Sequence, residues 1–287
     1  MAVGGKGNVA VTQSGPPDQA AVGGSELADF DASVPNPARM WNYWVGGKDN
    51  FAADRQAAEQ VLEVMPSLPL IARLARRFLI DAVHRLAADY GVRQFLDIGT
   101  GLPTADNTHD VAQRVAPRSR IVYVDNDPVV LTHARALLTS SGEGMTDYIP
   151  ADLRDTATIL SGAARTLDFS KPVAVLLIAV LHFIPDADDP YGIVARLMDA
   201  VPSGSYLVIA HAARDIQAGA ITEMMRRYNE LSPVPVTPRT GEQVARFFGG
   251  LDVIEPGVVP MRQWWAPGDD AGAGSGLAGY CGIGRKP

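Results

Sequence analysis

The strongest constraint on this chain is a pair of short apolar runs, each closed by polar punctuation. The first, Gln94-Phe95-Leu96-Asp97-Ile98-Gly99-Thr100-Gly101-Leu102-Pro103, reads as a buried parallel strand that breaks into a tight glycine turn. Missing Cβ atoms there would let backbone N–H groups approach a ligand. The second, Ile121-Val122-Tyr123-Val124-Asp125-Asn126-Asp127, reads as the next strand with an acid at its carboxyl end. In an open parallel sheet Asp125 would sit beside the first turn and accept both hydroxyls of a ribose. The pair predicts an α/β sheet that binds an adenosine-containing cofactor.

Details of the turn separate the candidate cofactors. Dinucleotide folds need Gly-x-Gly-x-x-Gly opening directly into a helix that receives a pyrophosphate. Here the third glycine position is Thr104, Pro103 disturbs the turn, and Asp97 places an acid just before the first glycine. That acid would repel a pyrophosphate but suits a ligand carrying positive charge and an amino group. An acid-x-Gly-x-Gly turn followed by an acid closing the second strand resembles the class I S-adenosylmethionine (SAM)-dependent methyltransferases. Tyr148-Ile149-Pro150-Ala151-Asp152-Leu153 is similar to their third motif, and Val173 to His182 to their fourth strand. Residues 35–55, with Pro35-Asn36-Pro37-Ala38-Arg39-Met40-Trp41 at the start and Gly46-Gly47-Lys48-Asp49-Asn50-Phe51 within, narrow the match. They are similar to the signature of an actinobacterial group labelled S-adenosyl methyltransferase, formerly classed as a domain of unknown function.

The resemblance covers the chain from about residue 34 onward. It implies a Rossmann-like class I methyltransferase fold, a mostly parallel sheet of seven strands with an N-terminal helical cap. It also implies SAM as cofactor and S-adenosylhomocysteine as product. The expected organisation is a disordered tail over 1–33, a cap over 34–92 and a SAM-binding domain over 93–287.

Composition bounds the remaining classes. At 287 residues, 47% hydrophobic and 20% charged, the chain can bury a full core. A net charge of −7 argues against a large phosphate-binding face, since nonspecific nucleic-acid affinity comes from clustered Lys and Arg. The one local cluster, Arg73, Arg76 and Arg77, reads as solvated helix positions. One cysteine, Cys281, excludes an internal disulfide framework and a multi-cysteine metal site, which makes a reducing cytoplasm the expectation. The N-terminus lacks the pattern of a secretory signal, and no apolar stretch has membrane-spanning length. The expected partner is a small-molecule acceptor, with neither nucleic acid nor membrane.

Along the chain, Asn36 before Pro37 predicts a capped helix that Gly46-Gly47 stops. Asp49 or Asn50 would cap a second helix running toward Pro66. A third begins near Leu68-Pro69 and carries Leu70, Leu74 and Phe78 on one stripe until Gly91. Strands then alternate with helices, at about 94–98, 121–125, 146–150, 173–179 and 205–210, a rhythm that means a parallel sheet with right-handed crossovers. Val253-Ile254 and Leu277 to Gly284 would close it. Thr240 and Gln243 have capping-box spacing.

Candidate site residues follow from these placements. For the cofactor they are Tyr43, Gly47, Asp97, Gly99, Thr100, Gly101, Asp125, Asn126, Asp152, Leu153 and Ala179. The resemblance gives Asp152 the adenine amino group, and Asp125 is expected at the ribose with Asn126 beside the adenine. Asp127 reads as a helix cap. His182, after the fourth strand, is the candidate base because imidazole titrates near neutral pH, with a packing role as the plain alternative. Asn107 and His109 could position substrate or simply cap and pack their helix. Asp186, Asp188 and Asp189 lack calcium-loop spacing and read as a solvated loop, so no metal is expected. Trp41, Trp44, Trp264 and Trp265 either knit the cap to the domain or, with Tyr43, wall an aromatic acceptor pocket. Two other functions stay open at this point: a SAM-binding regulator without methyl transfer, and an NAD(P)-dependent oxidoreductase, which Asp97 and Thr104 disfavour.

Overall fold

The computed structural model describes residues 31–137, 142–265 and 277–287. The expected disordered tail lies almost wholly outside the described residues. Five strands, β1 (Gln94–Ile98), β2 (Arg120–Asp125), β3 (Met145–Pro150), β4 (Ala174–Ile178) and β5 (Tyr206–Ala212), run parallel in the spatial order 3-2-1-4-5. β6 (Asp252–Val253), β7 (Val259–Pro260) and β8 (Gly279–Arg285) complete the sheet, β8 lying antiparallel to β5 and pairing with both shorter strands. The sheet has eight strands where seven were expected. The extra one, β7, is a two-residue pairing next to Gly257, too short to leave a period-two pattern in the sequence.

Alternation along the strands builds a core on each face. Phe95, Ile121, Tyr123, Leu176 and Val208 face one side, whereas Leu96, Val122, Val124, Val175, Leu177 and Ile209 face the other. The second face is closed by α6 (Thr156–Ala163), α7 (Pro190–Asp199) and the short α9 (Gly241–Ala245) with the turn after it. The Thr240 and Gln243 capping box forms as the spacing predicts, with bonds of 3.0 and 3.2 Å.

On the first face lie α1 (Pro37–Trp44), α2 (Ala52–Leu62), α3 (Leu68–Ala88), α4 (Thr108–Val115) and α8 (Ala218–Leu231), while α5 (Pro128–Leu137) follows β2. The apolar stripe of α3 makes it the central helix of this layer: Phe78, Ala82, Val83 and Leu86 are fully buried in the same core as β1, β4 and β5. It therefore packs into the same core as the sheet, which α1 and α2 share. Asn36 caps α1 by accepting from the Ala38 amide at 2.8 Å. Neither Asp49 nor Asn50 caps α2; Phe51 holds that position, and Asp54 reaches back to its amide at 2.8 Å. Trp264 meets Phe78 edge-on at 4.8 Å, and Trp265 bonds Asp81 beneath Arg77, so these two rings fix the C-terminal segment to α3. Among the described residues no helix is long and apolar enough to cross a membrane.

Candidate functional site

The order 3-2-1-4-5 reverses direction between β1 and β4, and a crevice at the strands' carboxyl ends is the consequence. A cleft of about 350 Å³ opens there. The β1 turn forms its floor. Gly99 has φ +73, and a Cβ on it would collide with Val180 at 2.4 Å; Gly101 has φ +62. Both positions thus need glycine, for backbone hand and, at Gly99, for close approach. Asp97, Thr100, Asp125, Asn126, Asp152, Leu153 and Ala179 also line the cleft, as expected for cofactor residues.

The two acids beneath the turn are buried and preorganised. Asp97 accepts from the Thr108 hydroxyl at 2.6 Å. Asp125 accepts from the amides of Gly101 at 2.8 Å and Asp127 at 3.0 Å. Burial pushes both carboxyls up to about 6 against these hydrogen bonds, with Arg76 helping to lower Asp97. At the far end Asn126 donates to Asp152 at 3.3 Å, joining the tips of β2 and β3. Arg154 also holds Asp152, at 3.0 Å, and reaches Asp188 at 2.7 Å. Asp127 caps α5 through the Val129 amide at 2.7 Å, as expected.

Two arginines, Arg76 at the cleft and Arg39 behind it, escaped the sequence reading. Arg76 is not a solvated helix position: it turns into the cleft and donates to the carbonyls of Ala105 and Asp106 at 3.0 and 2.6 Å. Burial lowers its pKa while Asp97 raises it. Arg39 is buried between Asp54 at 3.4 Å and Asp127 at 3.6 Å, which ties α1 to the start of α5. Arg73 alone of the 73–77 cluster is fully exposed. Nothing local marks Arg39 and Arg76, because the carboxylates of Asp54 and Asp127 that hold the first and the carbonyls of Ala105 and Asp106 that hold the second lie far off in the chain.

Tyr43 and Gly47 stand apart from the cleft. The Tyr43 hydroxyl donates to Glu59 at 2.9 Å on the outside of the cap. A Cβ on Gly47 would strike the Asn42 side chain at 2.3 Å, and Gly46 takes φ +88 to end α1. The glycine pair is accounted for inside the cap itself. Asn107 and His109 are also outside the cleft lining. Asn107 is the N-cap of α4, accepting from the Thr104 amide at 3.0 Å, and His109 is buried with Nδ1 2.8 Å from the Tyr123 hydroxyl. Burial lowers the His109 pKa, and Asp110 opposes that.

His182 borders a second, smaller chamber of about 60 Å³ that shares Pro37, Trp41, Ala75, Ala179 and Phe183 with the cleft. Trp44 and Tyr228 also wall it, so the tryptophans of α1 reach this space while Trp264 and Trp265 do not. Ala179, between the two spaces, adopts φ +57 without being glycine. Burial, then the neighbouring His211 and Arg239, push the His182 pKa well below its usual value. His211 Nδ1 lies 2.8 Å from its neighbour's carbonyl at Ala212, which sets that nitrogen as the donor. Its Nε2 then accepts from the buried Arg239 at 3.0 Å. Arg239 also binds the carbonyls of Leu181 and Ile184 and the Asp186 carboxylate at 2.7 Å. The aspartates after β4 lie on an exposed loop, as expected, and they also make local contacts: Asp186 and Asp188 take arginines, and Asp189 caps α7 through the Gly192 amide. Among the described residues no cluster of His, Cys, Asp or Glu could hold a metal ion.

Comparison with known proteins agrees with this geometry. The family described as S-adenosyl methyltransferase matches residues 24–287. A crystal structure of a DUF574 family protein from Streptomyces avermitilis is similar at 42% identity and a TM-score of 0.86, over 90% of this chain and 99% of the other. A protein of Thermobifida fusca YX, provisionally assigned as a methyltransferase, is similar at 40% identity and 0.81, over 90% and 96%. A search of curated proteins gives no match. Asp97 and Asp125 face the cleft where a pyrophosphate would meet like charge, whereas a sulfonium cofactor with an ammonium group fits that donor set. The chain belongs to the S-adenosyl methyltransferase family and is a SAM-dependent methyltransferase of the Rossmann-like class I fold.

Proposed function

We propose that the methyl acceptor is a small molecule and that it enters the chamber beside Ala179, with neither nucleic acid nor membrane as partner. The observation that carries this is the apolar space walled by Trp41, Trp44 and Phe183 that adjoins the cleft. Bound SAM supplies an electrophilic methyl group and leaves as S-adenosylhomocysteine. The residues' work is to hold and align. Asp125 accepts the ribose hydroxyls, Asn126 and Asp152 meet the adenine edge, and Leu153 packs against the ring. Asp97 takes the ammonium group, with Gly99, Thr100 and Gly101 offering backbone. Trp41 and Phe183 exclude water from the space between cleft and chamber. His182 acts as a neutral hydrogen-bonding group, since its depressed pKa makes it a weak proton store. Asn107 and His109 act on the site only by fixing the start of α4. A reducing cytoplasm in an actinobacterium is the setting that the single buried cysteine and the Streptomyces and Thermobifida relatives support.

Methyl-labelled SAM supplied with the protein and a fractionated cell extract tests the reading. Label should enter the small-molecule fraction. Label confined to protein or nucleic acid would refute the acceptor class, and SAM binding without any label transfer would favour a regulator.

A further inference from the structure

Two buried polar groups, His182 and Tyr228, border the chamber behind Ala179 without a well-formed hydrogen bond. His182 is 6% exposed and its Nδ1 has no hydrogen-bond partner, and Tyr228 is 3% exposed with a hydroxyl that makes no well-formed bond. Ser232 lies beside that hydroxyl, but its Oγ already donates to the Val234 carbonyl at 3.2 Å and accepts from the Val234 amide at 3.3 Å, which leaves one lone pair for the phenol and nothing that donates to it. Buried polar atoms left unpaired are costly and rare in native proteins, so two that border one cavity point to a ligand that pairs them.

The rest of the lining says which ligand. Met65, Leu68, Ile71, Ile221 and Met224 join the aromatic walls, and among the described residues no charged side chain borders the space. The charge behind it is Arg239, 1% exposed, which touches His211 and is answered by Asp186. A cation in the chamber would face that guanidinium through His211, and an anion would be stripped of water with no direct partner. Size sets a further limit: about 60 Å³ is well under the roughly 150 Å³ that holds a benzene ring.

We propose that the acceptor inserts an uncharged aliphatic hydroxyl group, smaller than an aromatic ring, into this chamber, where His182 and Tyr228 hydrogen-bond it. A hydroxyl both donates and accepts, so it can satisfy an imidazole nitrogen and a phenol together. The adjoining wall at Ala179 and Phe183 puts this group next to the cofactor cleft, and the assignment rests on the proposed small-molecule acceptor reading.

The test is fluorine NMR on the full chain, with and without S-adenosylhomocysteine, using probes of one length: 3-fluoropropan-1-ol, 3-fluoropropylammonium and 3-fluoropropanoate, with 4-fluorophenol as the aromatic arm. The alcohol should bind at millimolar concentration and at least tenfold more tightly than either ion. Tyr228→Phe and His182→Gln should each weaken it at least threefold while S-adenosylhomocysteine affinity stays within twofold. Equal binding of the ions, tighter binding of the phenol, or alcohol binding that ignores both substitutions overturns the proposal. So does a high-resolution structure in which two waters pair these groups and the alcohol does not displace them. Loss of S-adenosylhomocysteine binding would count against the cofactor site alone, because the probes report on the chamber in its absence.

Discussion

The amide of Gly101 donates to Asp125 Oδ2 over 2.8 Å, so the turn that ends β1 is fastened to the acid that ends β2. The same carboxylate accepts the Asp127 amide through its other oxygen, which fixes its rotamer before any ligand arrives. A group held this way loses little freedom on binding.

Asp125→Ala is expected to weaken S-adenosylhomocysteine binding by about 1.5–3 kcal/mol, the scale of hydrogen bonds to a charged acceptor. Calorimetry reads the affinity and circular dichroism the fold. Normal affinity in a folded variant would remove Asp125 from the ribose.

Acidity should act on stability and binding in opposite directions. Asp97 and Asp125 are raised to about 6 from 3.8, so the folded state holds more protons than the unfolded state between those values. Their contribution to stability therefore falls as pH rises from about 4 to about 6, by on the order of 2–3 kcal/mol each. Below pH 4 both states are protonated and the penalty is absent. Cofactor affinity should instead rise over the same window, as the carboxylates become anionic acceptors. Urea titrations of the wild type and Asp97→Asn isolate the first effect, since the variant should lose part of the slope. A slope equal in both proteins would mean that Asp97 does not titrate there.

Arg39→Met should destabilise the protein by about 3–5 kcal/mol, because it leaves the Asp54 and Asp127 carboxylates buried without their shared cation. Denaturant unfolding measures it. A loss under 1 kcal/mol would show that the carboxylates are satisfied by their backbone donors alone.

Gly47→Ala should cost about 1–3 kcal/mol of stability through the clash with Asn42, yet leave cofactor affinity within twofold. Tyr43→Phe should also leave that affinity unchanged, since its hydroxyl meets Glu59. If either variant stays folded but loses affinity tenfold, that residue returns to the site.

The floor of the cleft was legible in the sequence because its parts are local: Asp97, Gly99 and Gly101 belong to one turn, and strand rhythm places Asp125 and Asp152 beside it. Helix caps at Asn36, Asp127 and Thr240 were legible for the same reason. What escaped depends on residues distant in the chain. Arg76 finds its carbonyls at 105 and 106, Arg39 finds Asp127, and Arg154 finds Asp188. The chamber collects side chains from Pro37 to Gly279, which no window of sequence displays together. Gly47 lies off the cleft lining, and the sequence did not show this because a glycine required by a neighbouring Asn42 and one required by a ligand leave the same letter.

Eight residues, Leu181 to Asp188, run from the chamber to the rim of the cleft and are gripped at both ends. Arg239 holds Leu181, Ile184 and Asp186 from within, while Arg154, which also holds Asp152, takes Asp188 from outside. Anything that draws Arg154 away from Asp152 would release one hold on the segment that carries His182 and Phe183. Initial-rate kinetics should show a compulsory order, cofactor before acceptor, that Arg154→Ala relaxes toward random addition.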